Sequence, residues 1–309
     1  MDTFKKRSTI FWKRVLVYKY SYLFVLPAVI WYLIFCYIPM YGITLGFKEY
    51  RFDKGILGSP WVGFRYLSQF FNFYDFWKLI GNTLQISSLK LIFCFPAPIL
   101  LALLLNELKN GKFKKIIQTV SYLPFFVSWV IVVNLFSKLF SPNNGPVNDL
   151  LVSLFGMKPV YFLGEPGMFY PLVVLTDIWK GVGYGSIIFL SALTGIDQQL
   201  YEAAKIDGCG KWKSMLHISL PGLVPTIGIM FILSIGGLMR AGFEQIYLMQ
   251  TPGTLDVSEI LDTYVVKVGI KNGMFSYATV VGFFQSVVSL LLIIITNKIS
   301  KKMTEVSLW

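Results

Sequence analysis

Lys90, Asp177, Lys180, Arg240 and Glu244 stand inside stretches of this sequence that are otherwise apolar. An ammonium or guanidinium beside a carboxylate can hold the hydroxyls or carboxylate of a polar solute. Trp179 and Tyr184, close by along the chain, add aromatic faces for its C–H surfaces. Alternatively, a carboxylate such as Asp177 or Glu244 can carry a proton for ion-coupled transport. A purely structural ion-pair cluster fits the same residues. Other chemistry finds less support. His217 has no metal-ligand companion, so no metal site is expected. Gly210-Lys211 is not a phosphate loop, which needs a glycine five residues earlier, where this chain has Lys205. GVGYG (181–185) is no dinucleotide fingerprint, because Ser186 takes the last glycine's place and no strand precedes it. Those glycines suit close helix packing or a pathway wall. No nucleophile–base set is evident, so no catalytic residue is assigned and the chain is not read as an enzyme.

The elements that must position these residues are membrane spans. Of the 309 residues 55% are hydrophobic and 14% charged, where a soluble domain carries about a quarter charged residues. A span needs about 20 apolar residues, and six stretches qualify: 21–46, 79–105, 116–140, 169–193, 222–247 and 277–297. The first follows a basic N-terminus but is too long for a signal peptide. The fold class expected is therefore all-α, a polytopic membrane protein with six transmembrane helices. Its parts are an N-terminal segment 1–20, a membrane domain 21–297 and a tail 298–309. Pro27, Pro96, Pro98 and Pro124 lie within spans, which requires neighbouring helices to satisfy the carbonyls they free. Cys36, Cys94 and Cys209 imply no disulfide framework.

The loops set the orientation. The N-terminus, residues 106–115, residues 194–221 and the tail together carry sixteen lysines and arginines, against eight on the other side. The positive-inside rule places the first set, and both termini, in the cytoplasm. The net charge of +12 is thus an orientation signal and not a nucleic-acid footprint. Outside, the aromatic stretch 61–77 and residues 256–273 have the spacing of helices lying at the interface.

With those directions Lys90 lies about 16 Å deep in span two, and Asp177 and Lys180 about 12 and 16 Å deep in span four. Facing lipid, each would cost about 2.5–3.5 kcal/mol, so all three should face the interior. Asp177 and Lys180 are spaced to pair on one helix face, which leaves one lysine and a net charge of +1. A cation buried there favours an anionic partner. Arg240 and Glu244, four apart near the outer end of span five, are spaced for a gate or rim pair.

Between spans four and five runs YEAAKIDGCGKWKSMLHISLP (201–221). Asp197 is placed to cap a helix of good formers, QQLYEAAKI. Leu200, Ala203 and Ala204 share a low face that another backbone can approach closely. Gly208 supplies positive φ to end the helix, and a second short helix over about 211–217 leads to Leu220-Pro221. A docking knuckle and an ordinary polar connector both fit these features.

Glu202-Ala203-Ala204, Asp207-Gly208 and Ile218-Ser219-Leu220-Pro221 resemble the EAA motif, EAAxxDGAxxxxxFxxIxLP, of bacterial ABC importer permease subunits. The chain departs from it at Cys209, where Ala is usual, and at Met215, where Phe is common. FCYIPMYG (35–42), GSPWVG (58–63), NTL (82–84), DIWKGVGYGS (177–186), AGFEQIYLM (241–249) and the terminal SLW resemble the carbohydrate branch. Within it they are most similar to oligosaccharide permeases for pectin-derived, alginate-like or N-glycan sugars. The resemblance implies the type I importer permease fold in a bacterial cytoplasmic (inner) membrane. Segment 197–221 would be the coupling helix, with Glu202, Ala203, Ala204, Asp207 and Gly208 docking a cytoplasmic ATPase and Glu202 facing a basic residue there. The implied partners are a second homologous permease, two ATPase copies and an external solute-binding protein. The chain would hold no cofactor, with ATP and Mg on the ATPases. The passenger would be an oligosaccharide, for which the spare lysine favours an acidic sugar while a neutral one stays open.

Overall fold

The computed structural model describes residues 17–108, 111–304 and 307. Among them the regular secondary structure is all helical, apart from one isolated antiparallel bridge between Lys48 and Trp61. The membrane-length helices are α1 (Lys19–Phe47), α2 (Phe76–Asn106), α5 (Pro166–Leu193), α7 (Lys211–Gly236) and α9 (Phe275–Thr304). A pair of helices, α3 (Lys112–Phe126) and α4 (Trp129–Leu139), meets at 104°. Counting that pair as one, six spans stand where the hydropathy predicts six. Two shorter helices bear on function: α6 (Gln198–Ile206) and α8 (Phe243–Met249).

Three boundaries differ from expectation. The predicted span 116–140 is broken: Pro124 tightens the end of α3, and Val127 and Ser128 turn extended. Ser128 then starts α4 by accepting a hydrogen bond from the Ile131 amide at 3.4 Å. The predicted span 222–247 ends at Gly236, and residues 237–242 form a turn before α8. The short helix expected at 211–217 is present but is not separate from the fifth span. Lys211 begins α7, which runs unbroken through Pro221.

Proline explains how these helices continue. Wide π-type turns at Leu33–Tyr37, Lys90–Cys94 and Met215–Ser219 each lie just before Pro39, Pro96 or Pro221. A proline inside a helix lacks an N–H and its ring crowds the carbonyl four residues back. Widening the turn relieves that crowding. At the second of these, the Phe95 amide bonds the Lys90 carbonyl at 3.2 Å.

The core is stacked in three clusters along the bundle. Phe70, Leu79, Leu261 and Val281 pack at the end predicted to lie outside. Ile86, Val173, Ile246 and Ile260 fill the middle. Ala102, Leu103, Phe189 and Leu223 pack towards the other end. Glycines set the closest approaches: a Cβ on Gly183 would overlap the Ser121 carbonyl, and one on Gly185 would come within 2.9 Å of Pro98. Helix α1 contributes nothing to the core. Its most apolar window is wholly unburied, and among the described residues it packs at its outer end, with Gly46 against Val280.

Candidate functional site

The turn after α7 organises the site. Its neighbours Ser87 and Gln285 lie about 16 Å along α2 and about 15 Å along α9, counted from their outer ends. That is half of a hydrocarbon core about 30 Å thick. Irregular backbone at such depth persists only where protein satisfies it or where it lines a cavity. Both conditions hold here. The Ser87 hydroxyl donates to the Leu238 carbonyl, and Gln285 Nε2 donates to the Met239 carbonyl at 2.7 Å. Ala241 and Gly242 reverse the chain with φ of 50° and 84°.

Against this turn lies a cavity of about 370 Å³, lined by residues that include Ser87, Lys90, Cys94, Asp177, Ser234 and Gly242. Lys90 Nζ is 3.5 Å from Asp177 Oδ1 and donates to Gln245 Oε1 at 2.5 Å. Gln245 is fully buried, and its Nε2 donates to the Val173 carbonyl at 2.8 Å and to Thr176 Oγ1 at 2.7 Å. One ammonium thus ties α2, α5 and α8 together. Gly242 makes room for it, since a Cβ there would come within 2.5 Å of Lys90 Nζ. Gln245 and Gly242 escaped the sequence reading as site residues. The available signals were a glutamine in an apolar run and a lysine needing an acceptor.

The expected Asp177–Lys180 pair does not form. Lys180 points to the α3–α4 break and donates to the carbonyls of Phe125 at 2.7 Å and Val127 at 2.6 Å. Its ammonium also lies 5.3 Å from the Phe125 ring centre and 5.5 Å from that of Trp129. These are the carbonyls freed where the helix stops, so Lys180 caps the end of α3. Tyr184 stacks on Phe125 with centroids 3.8 Å apart, and Trp179 packs edge-on against Phe136 at 5.5 Å. Lys180, Trp179 and Tyr184 therefore form a second cluster beside the break, and none of them lines the cavity.

Arg240 and Glu244 make no ion pair, because the turn destroys the helical spacing that would join them. Glu244 is exposed on α8. Arg240 opens onto a separate groove of about 620 Å³ with Asp262, Gln285 and Ser286. Burial raises the Asp262 carboxyl above its usual range, opposed by the Gln285 hydrogen bond and by Arg240.

At the other end, Asp197 caps α6 by accepting from the Gln199 amide at 2.9 Å. Gly208, at φ 74°, closes it. The Cys209 amide bonds the Ala204 carbonyl at 2.8 Å and the Gly208 amide bonds the Lys205 carbonyl at 3.2 Å, which is the Schellman arrangement. Leu200, Glu202, Ala203 and Ile206 are all exposed, Ile206 at 87%. Tyr201 and Ser219 hydroxyls, 2.9 Å apart, hold α6 to α7. The His217 ring bonds the Lys213 carbonyl.

Comparisons with known proteins agree with this architecture. Residues 95–305 match the family model described as the binding-protein-dependent transport system inner membrane component. Protein LplB of Bacillus subtilis (strain 168) is 45% identical, over 94% of this chain and 91% of its own length. The polygalacturonan/rhamnogalacturonan transport system permease protein YteP of the same organism is 44% identical, over 98% and 94%. A chain in the crystal structure of a bacterial ABC transporter involved in the import of the acidic polysaccharide alginate superposes with a TM-score of 0.88. It is 38% identical, over 95% of this chain and 99% of that one.

Proposed function

Because the chain belongs to the family of binding-protein-dependent transport system inner membrane components, we propose that it is the oligosaccharide-conducting permease subunit of an ATP-driven ABC importer. The observation that carries this reading is the cavity at mid-membrane depth, walled by irregular backbone and holding Lys90, Asp177, Ser87 and Ser234. A sugar needs donors and acceptors in a space screened from lipid, and this cavity offers both. Lys90 and Asp177 are its charged pair. Ion coupling through Asp177 or Glu244 is not favoured. Asp177 is paired, Glu244 is exposed on α8, and the relatives are permeases of transport systems.

The exposed face of α6 is the docking surface for an ATPase, with Glu202, Ala203, Ala204, Asp207 and Gly208 forming the coupling segment. The assembly contains a second permease, two ATPase subunits that hold ATP and Mg, and an external binding protein. One solved relative is in complex with an alginate pentasaccharide-bound periplasmic protein, which supports the last of these. Both termini lie in the cytoplasm of a bacterial cell. The passenger bears carboxylates, since Lys90 is the cation that a sugar in the cavity can reach and YteP is named for uronate polymers.

Reconstitution with the ATPases and binding protein tests this. Uptake should require ATP hydrolysis and survive collapse of ion gradients; the reverse pattern overturns the reading. Lys90→Gln should impair a uronate oligosaccharide far more than its carboxyl-reduced analogue. Equal impairment removes the acidic passenger.

A further inference from the structure

The turn after α7 lines two spaces. Gly237, Leu238 and Gly242 border the central cavity, while Gly236, Arg240 and Phe243 border the separate groove of about 620 Å³. That volume is within the range of small-molecule sites, about 300–1,000 Å³. The groove follows α9 from Gly282 to Ile293, about 10 to 27 Å from the outer end of that helix, so it spans the middle of the hydrocarbon. Its lining is mixed. The polar members are Arg240, Asp262, Gln285, Ser286 and Ser289, and the rest are glycines, Phe243 and the aliphatic Val265, Val266, Leu290 and Ile293. Arg240 is exposed, and among the described residues its guanidinium makes no hydrogen bond and no ion pair. Against lipid at this depth such a group is costly. Asp262 gives Oδ1 to Gln285 Nε2 at 2.9 Å, and the Ser286 hydroxyl donates to the Gly282 carbonyl at 2.9 Å. One guanidinium and one carboxylate balance, so the groove does not favour an anion as such. Arg240 offers donors, while Asp262 Oδ2 and the serine oxygens offer acceptors. A sugar ring has the matching mixture, hydroxyls around its edge and C–H groups on its faces.

An aromatic track leads in from the outer side. Phe243 stacks on Tyr247, one turn further out on α8, with centroids 5.4 Å apart. Lys271, just before the outer end of α9, lies 5.5 Å from the Tyr247 ring centre. Tyr247 is exposed. The two rings thus join the outer rim to the groove and present aromatic surface to C–H groups along the way.

We propose that this groove is an entry subsite for the passenger saccharide, one that reads ring hydroxyls and not carboxylates. Tyr247 and Phe243 take the C–H face of the sugar, Arg240 donates to its hydroxyls, and Asp262, Ser286 and Ser289 accept from them. The inference rests on the reading of the chain as an oligosaccharide permease, and it separates hydroxyl recognition here from carboxylate recognition at Lys90.

The test uses the assembled transporter in nanodiscs, where both faces are open to reagents, carrying Ser286→Cys or, as an independent check on folding, Ser289→Cys. A charged methanethiosulfonate should modify the new thiol. Trigalacturonate and its carboxyl-reduced analogue should both slow that modification, saturably and at similar concentrations. Adding Arg240→Gln should raise the half-protecting concentration of each sugar about tenfold, the loss expected of one charged hydrogen bond. Modification is read site by site with peptide mass spectrometry, so the native Cys94, in the central cavity, reports separately. Protection at Cys94 without protection at either new thiol overturns the entry subsite and leaves the permease reading standing. Protection by trigalacturonate alone overturns the reading of hydroxyls. A thiol that reacts only with a lipid-soluble maleimide overturns the subsite, because the groove then faces lipid. So does a thiol that reacts only when the second permease is left out, because that subunit then covers the groove. Loss of ATP-dependent uptake by the unmodified transporter would count against the permease reading and take the subsite with it.

Discussion

Lys90 Nζ reaches Asp177 Oδ1 on a neighbouring span at 3.5 Å and Gln245 Oε1 beyond the mid-membrane turn at 2.5 Å. Both charged side chains are mostly buried, at 16% and 28% exposure. Removing one partner strands the other. Asp177→Ala should lower unfolding stability by about 3 kcal/mol, while Lys90→Met with Asp177→Met should recover most of that loss. Thermal unfolding in nanodiscs gives the comparison. A double variant as unstable as the sum of the singles would show that the two groups are not coupled.

Gly242 should tolerate no side chain. Its φ of 84° costs a non-glycine residue about 1–2 kcal/mol, and the added Cβ meets the Lys90 ammonium. Gly242→Ala should cut saccharide uptake while membrane insertion stays normal. Unchanged uptake would mean that Lys90 can leave its position without consequence.

Lys180 is expected to behave as a structural cation. Since it caps the carbonyls of Phe125 and Val127, Lys180→Gln should impair acidic and carboxyl-reduced sugars alike and lower the thermal midpoint. Selective loss of the acidic sugar would assign it to the passenger instead.

The coupling role proposed for α6 gives a prediction with two arms. Gly208→Val meets the left-handed backbone that closes α6, and Ala203→Arg fills its low face. Each should abolish transport and loosen ATPase association in co-purification, with insertion unaffected. Full complex yield and transport in both variants would leave α6 a plain connector.

Asp262 supplies a pH dependence. Its carboxyl is raised by burial, so the folded state holds its proton more tightly than the unfolded chain. That contribution is fully present below the ordinary carboxylate value of 3.8 and is lost as pH rises through the folded value. Asp262→Asn keeps an acceptor for Gln285 without the charge. The variant should lose less stability than the natural protein between pH 4 and neutrality. Parallel melting curves over that range would argue against a raised value.

Much of this was legible in the residues. Apolar length marked the spans, Asp197 and Gly208 marked the two ends of α6, and the cost of charge in lipid drew attention to Lys90 and Asp177. The pairing was not legible, because i, i+3 spacing favours Lys180 as the partner of Asp177 and nothing local shows that Lys90 arrives from another helix. Nor was the end of α7. Leu238 and Met239 keep the stretch apolar, so hydropathy runs straight through the turn that Gly236-Gly237 and Ala241-Gly242 make. Pro124 hinted at a kink in span three. The 104° angle also needs Lys180 and the stacked Tyr184, which lie some fifty residues away in sequence.

Helix α1 has 29 residues, about 43 Å at 1.5 Å each, against about 30 Å of hydrocarbon. Among the described residues it is held at its outer end, by Gly46 on Val280 and Phe47 against Phe64 and Phe283. A rod longer than the layer it crosses must lean or protrude, and a rod pinned at one end leans about that pin. Bilayer thickness therefore sets the lateral position of its inner end more than any contact inside the chain does. Moving the protein from thin to thick vesicles should swing that end inward across the membrane plane while the remaining bundle stays still, so that a distance probe at position 20 changes and one at position 280 does not.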